Sequence, residues 1–232
     1  MKYAILPPQK VEYREDSQYR GSIEITGCYP GYGSTLGNAL RRVLLSSLEG
    51  AAAVSVKISG IQHEFSTIEH VREDVVAILL NMKRVRFQMY TDEPIKVSIK
   101  AKGEKVITAG DIKVTSDLKI VNPEQVIATL TDKKAVFEME IEVRKGLGYV
   151  PVEHQERPDK EIGVIAIDAI FTPVKRVNFT VDNVRVGKRT DYERVRLDIE
   201  TDGVVTPKEA FDRSVEILVE QFQSLISPAK EN

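Results

Sequence analysis

The chain has 232 residues, 42% hydrophobic and 29% charged, the make-up of a globular protein with room for one large core or two smaller ones. Its 33 Lys+Arg against 35 Asp+Glu give a net charge of -2, so no global field draws in nucleic acid or anionic lipid. A single cysteine, Cys28, excludes an internal disulfide, and no apolar run has the length of a signal peptide or a membrane span. The reading is a soluble, cytoplasmic protein with no membrane partner.

A strand is predicted near 10–15 and another over 19–27, YRGSIEITG, where polar and apolar residues alternate. The stretch YPGYGSTLGNALRR then brings glycines into the approach to a helix. Ser34 or Thr35 can cap that helix, which runs to about Leu48 with Gly50 just past its end. Leu36, Ala39, Leu40, Val43, Leu44 and Leu48 form its apolar face, while Arg41 and Arg42 project from a flank. Gly37 within the helix points to close approach by another helix.

Residues 51–62 read as strand. Ser66 and Glu69 have capping-box spacing for a second helix, with Val71, Val75, Ile78, Leu79 and Met82 on one face. Short strands such as RVRFQMY, IKVSIKA and AVFEMEIEV fill 84–145, and the polar loop 145–161 is predicted to be flexible. Strands resume at GVIAIDAIF, VNFTVDNV and ERVRLDIE. The last helix has the strongest signal: Thr206 and Glu209 make a capping box and Pro207 takes the first helical position. Phe211, Val215, Leu218, Phe222 and Leu225 then follow at heptad spacing, widened by Ala210, Val219 and Ile226. That seam can face the chain's own sheet or a second copy, and the pattern is the same for both.

The glycine stretch lacks the spacing of a phosphate loop. A Walker loop needs Gly-Lys before its Ser/Thr, but Tyr32 and Gly33 precede Ser34; a dinucleotide fingerprint begun at Gly31 needs glycine where Leu36 stands. His63 and His70 flank Glu64 and Glu69 without metal-ligand spacing, and Cys28 has no histidine near it to activate a nucleophile. No catalytic residue, metal or cofactor is predicted. Basic clusters at Lys83-Arg84-Arg86, Lys175-Arg176 and 185–189 lack interleaved aromatics and fit solvated faces or partner contacts better than nucleic acid.

Four longer stretches in order, GYGSTLGNALRRVLLSSLEGAA, IQHEFSTIEHVREDVVAILLNMK, GYVP and PVKRVNFTVDNVRVGKRTDYERVRLDIETDG, resemble the bacterial RNA polymerase alpha subunit. The likeness runs from about residue 20 to the end of the last helix. It implies an α+β fold: a discontinuous dimerisation domain, an antiparallel sheet with two helices, from 1–49 and 174–232, and a strand-rich insertion domain over 50–173. It implies a non-catalytic scaffold of DNA-directed RNA polymerase, a nucleotidyltransferase, that homodimerises and docks the beta and beta prime subunits. The family carries a further DNA-binding domain after a linker; a chain ending at Asn232 is expected to be the N-terminal assembly domain, with no direct DNA binding.

By position in the matched motifs, the dimer interface is expected to use Leu36, Leu40, Val43 and Leu44 with Phe211, Val215, Leu218, Phe222 and Leu225. Beta contacts fall on Arg42 and Leu45 of NALRRVLL and on His63 and Glu64 of the HEFSTIEHVRED segment. Beta prime contacts fall on Lys83, Ile167, Val174 and Val195. Ala77 departs from the acidic residue of some relatives and is assigned nothing. The competing reading is a nucleic-acid module acting through its basic clusters, whose affinity would fall steeply with salt.

Overall fold

The computed structural model describes residues 5–155 and 162–226. The chain divides into two compact units, Met1–Leu48 with Thr172–Asn232, and Glu49–Phe171. The first unit opens with an antiparallel hairpin of β1 (Lys10–Ser17) and β2 (Arg20–Cys28), and α1 (Tyr32–Ser46) follows. The helix starts before the expected Ser34 or Thr35 cap and stops short of Leu48. Its end is set by what comes next: Glu49 and Gly50 are already pairing as strand with Leu147 and Gly146, so Gly50 is no helix terminator.

The second unit is built on β3 (Glu49–Ile58). After it come an irregular segment, α2 (Val75–Met82), β4 (Phe87–Met89), β5 (Ile95–Lys102), β6 (Lys105–Thr108), β7 (Leu118–Ile120), β8 (Val126–Leu130) and the long β9 (Val136–Leu147). The chain closes the unit with β10 (Tyr149–Val150), β11 (Val164–Ala166) and β12 (Ala169–Ile170). The main sheet has the order β5-β9-β3-β4-β7, with β11 also on β3; β6 pairs β8 and β10 pairs β12, all antiparallel. Alternation in IKVSIKA and AVFEMEIEV puts Val97, Ile99, Phe137, Met139 and Ile141 on one buried face, where α2 adds Val75, Ile78 and Met82.

The second helix begins eight residues later than its capping-box spacing suggests. Asp74 is its N-cap, accepting from Ala77 N at 2.7 Å, while Ser66 Oγ turns to His63 Nδ1 at 3.2 Å. Tertiary bonds take the 70–73 backbone away from helix. Arg72 N donates to Thr129 O at 3.0 Å, Thr131 N to His70 O at 2.9 Å, and Val71 bridges to Leu130. His70 adopts φ 63°, in the left-handed region that interrupts a helix. The loop expected to be flexible over 145–161 is ordered strand and turn through Gln155; its remainder lies outside the described residues.

The chain then completes the first unit with β13 (Val174–Val186), β14 (Arg189–Thr201) and α3 (Pro207–Ile226). The sheet order is β1-β2-β14-β13, so the two strands at its centre come from opposite ends of the sequence. Register aligns Ile23, Leu197 and Phe179 in one row and Ile25, Val195 and Val181 in the next. These rows form one core with Leu40, Leu44 and Leu48 near α1 and with Ala210 and Phe211 of α3. The fold is therefore α+β, mostly antiparallel sheet with three α-helices among the described residues.

Candidate functional site

The N-terminus of α1 answers the question its glycines raise. Gly31, in the left-handed conformation at φ 86°, turns the chain so that the amides of Gly31 and Gly33 point at one anion. That anion is the carboxylate of Glu193 on β14, which accepts from Gly31 N at 3.0 Å and from Gly33 N at 2.7 Å. Helix N-termini favour negative charge because their first amides are unpaired and the peptide dipoles align. Here the chain supplies its own. A Cβ on Gly33 would lie 2.6 Å from Glu193 Oε2, and one on Gly37 would lie 2.5 Å from the Phe179 ring. The close approach anticipated at Gly37 is thus made by strand β13, not by a helix.

With α1 pressed onto the sheet, Leu40 and Leu44 are buried in the unit's own core and Leu36, Val43 and Leu45 are half-buried, whereas Arg41 and Arg42 are exposed on the flank. Helix α3 is fixed at its start. Thr206 N and Oγ1 donate to Glu209 Oε2 at 2.9 and 3.0 Å, and Glu209 N returns a bond to Thr206 Oγ1 at 3.2 Å. The Thr206 amide and hydroxyl hold the Glu209 carboxyl below its ordinary range. Beyond that turn the apolar seam divides. Phe211 is in the core and Leu218 is half-buried, but exposure climbs from Val215 at 36% through Val219 at 46% and Phe222 at 60% to Leu225 at 75% and Ile226 at 82%. An amphipathic stripe that leaves its own core in this way is an exposed apolar patch.

In the second unit, His63 is exposed and Glu64 half-buried in the irregular segment ahead of α2. That segment is tied to β8 by Glu73, whose carboxylate accepts from Thr129 N at 2.6 Å and Thr129 Oγ1 at 3.0 Å and pairs with Arg72 at 2.8 Å. Burial pushes the Glu73 carboxyl up, but bonds from Arg72 and Thr129 together outweigh it and hold it below its usual range. Lys83, at the end of α2, meets Asp168 with Nζ to Oδ2 at 2.8 Å, and Val152 N donates to Asp168 Oδ1 at 3.0 Å. Lys83 first and the Val152 amide second lower the Asp168 carboxyl. Ile167 beside it is buried, as are Val174 and Val195 in the first unit's core.

Several basic side chains are locally neutralised. Arg189 pairs with Asp191 at 2.6 Å and lies over the Tyr29 and Tyr192 rings, Arg194 pairs with Asp182 and Glu24, and Arg176 with Glu200. Among the described residues no His, Cys, Asp and Glu side chains cluster as metal ligands, and no helix is long and apolar enough to cross a membrane. Cys28 is buried, which pushes its thiol up, and it donates to Ile25 O. Glu193, Glu73 and Asp168 escape sequence reasoning because each acts on residues distant along the chain, 160 positions away for the Glu193–Gly33 bond.

A family profile, the RNA polymerase Rpb3/RpoA insert domain, matches residues 56–172. The chain is 48% identical over 217 residues to the DNA-directed RNA polymerase subunit alpha of Alkaliphilus oremlandii, covering 94% of this chain and 68% of that protein. It belongs to the bacterial RNA polymerase alpha-subunit family. Within that family, the alpha subunit of Symbiobacterium thermophilum is 47% identical over 219 residues and that of Aquifex aeolicus 44% over 219 residues. The chain covers 69% of each of these two relatives. The profile match falls almost wholly on the Glu49–Phe171 unit, beginning within β3 and ending one residue past Phe171.

Proposed function

We propose that the chain is a non-catalytic assembly scaffold of bacterial RNA polymerase that works in the cytoplasm. In this reading residues 1–49 and 174–232 form the dimerisation domain, and the insertion domain 50–173 helps to dock the large subunits. The observation that carries it is the stripe on α3, where five large apolar side chains become steadily more exposed toward Ile226. A second copy covering them buries ten side chains that average about 60% exposure, for roughly 9–18 kcal/mol gross. Association costs ~4–15 kcal/mol, so the two terms allow a stable dimer. Half-buried Leu36, Val43 and Leu218 would line its margin, with Leu40, Leu44 and Phe211 supporting from beneath.

Arg42 and Leu45, with His63 and Glu64, are assigned to beta; Lys83, Ile167, Val174 and Val195 are assigned to beta prime. Buried Ile167, Val174 and Val195 can act only by shaping the surface above them. The test is the native mass, by light scattering, of the chain mixed with purified beta subunit. A species of two chains to one beta is expected. A monomer at micromolar concentration would overturn the dimer, and a dimer that ignores beta would overturn the docking. Titration with DNA serves as the control, since a salt-sensitive complex would favour the nucleic-acid module.

A further inference from the structure

Lys83 sits where a positive charge is easily taken for a direct contact with a partner, yet its ammonium is committed inside the chain. Asp168 Oδ2 holds it at 2.8 Å, with the two side chains only 26% and 29% exposed. The other oxygen of Asp168 accepts from Val152 N at 3.0 Å, so one carboxylate joins the end of α2 to the segment that carries GYVP. That segment is held from its other sides too. Tyr149 and Val150 pair with Ile170 and Ala169, Phe171 N donates to Gly148 O at 2.8 Å, and Gln155 Nε2 donates to Ile167 O at 2.7 Å. Its entry is tight as well, since a Cβ on Gly146 would lie 2.6 Å from the Phe171 ring. At its start the strap presents two large apolar side chains outward, Leu147 and Tyr149, 55% and 59% exposed, ahead of exposed Glu153 and His154.

We propose that Lys83 and Asp168 are positioning residues, which lock the strap 147–155 so that Leu147 and Tyr149 form the surface met by a large polymerase subunit. This rests on the docking reading above. The lysine contributes by holding geometry, and its charge does not reach the partner. Ile167 belongs to the same device, because its side chain is buried while its carbonyl anchors Gln155. Two residues placed against beta prime by resemblance thus act on one strap. A rigid apolar surface binds at lower ordering cost than a loop that must be fixed on contact.

The test uses the preformed complex of the alpha-family dimer with beta, to which purified beta prime is added, with hydrogen exchange followed at the Val152 amide. Lys83→Met and Asp168→Leu are each expected to weaken beta prime binding about tenfold. Their double variant should be no weaker than the stronger single, since both break one unit. Val152 exchange should accelerate in both, while the dimer mass and beta binding stay unchanged. Asp168→Asn, which keeps an acceptor for Val152 but loses the charge, should fall between. Leu147→Ser, which touches the surface and not the Asp168 lock, should lose binding with Val152 protection intact. Asp168→Leu binding beta prime at wild-type strength would overturn the proposal, as would Lys83→Met losing it with Val152 still protected. A wild-type complex that takes up no beta prime would instead remove the docking reading itself.

Discussion

Replacing Glu193 with alanine tests how far a distant carboxylate stabilises α1. The variant leaves the amide of buried Gly33, bonded at 2.7 Å, without its acceptor, and removes the weaker bond to exposed Gly31 N at 3.0 Å. A hydrogen bond to a charged group contributes about 1.5–3 kcal/mol. The helix-dipole interaction adds ~0.3–1 kcal/mol. Discounting the exposed half, we expect a loss of about 2–3 kcal/mol for Glu193→Ala, in line with the upper range of N-cap deletions. Glu193→Gln keeps an acceptor for Gly33 and should lose about 1 kcal/mol. Urea unfolding followed by circular dichroism reads this as a midpoint roughly 1 M lower for the alanine variant, with little change in slope. Exchange at the Gly33 amide should accelerate as well. An alanine variant whose midpoint stays within ~0.2 M of wild type would show that the clamp contributes nothing to the fold, and the reasoning would fail.

Phe222→Asp places a charge in the exposed stripe, so light scattering at micromolar concentration should find monomer; an unchanged dimer would remove α3 from the interface. Arg42→Ala, on the exposed flank of α1, should keep the dimer mass and weaken capture of beta, and normal capture would cancel the assigned role. Stability should fall in acid. Glu73, Asp168 and Glu209 are held below their ordinary range in the fold, so the folded state binds fewer protons than the unfolded chain. The stability they contribute is complete above the unfolded values near ~4 and is lost as pH falls through the lower folded values. Urea midpoints measured downward from about pH 6 should show this decline, flattened in Glu73→Gln; a flat wild-type profile would contradict it.

What could be read from the residues alone was what lies close together along the chain. The Thr206–Glu209 box is a three-residue matter, and strands such as IKVSIKA declare their buried face by alternation. The start of α2 could not be read this way. Ser66 and Glu69 carry a capping signature, yet bonds from Thr129 and Thr131, some sixty positions away, pull that backbone out of helix. The heptad seam was equally ambiguous, because spacing records which residues share a face and not what the face meets. Packing on the sheet takes Phe211 and leaves Phe222 outside. Arg42 and the glycine turn drew notice from sequence, but Glu193, which holds that turn, is one carboxylate among many in a charged strand.

The sheet order β1-β2-β14-β13 has a consequence for synthesis on the ribosome. β2 ends at Cys28, but its neighbour β14 begins only at Arg189, after the whole Glu49–Phe171 unit has been translated. At ~5–20 residues per second the β1–β2 hairpin waits roughly 8–30 s with one edge of β2 unpaired. The inserted unit has all its strands by then and can fold first. An edge left open for so long is a template for wrong pairing. The β1–β2 hairpin is thus the part of the chain that most needs shelter from a chaperone, until β14 arrives and brings Glu193 to the waiting helix.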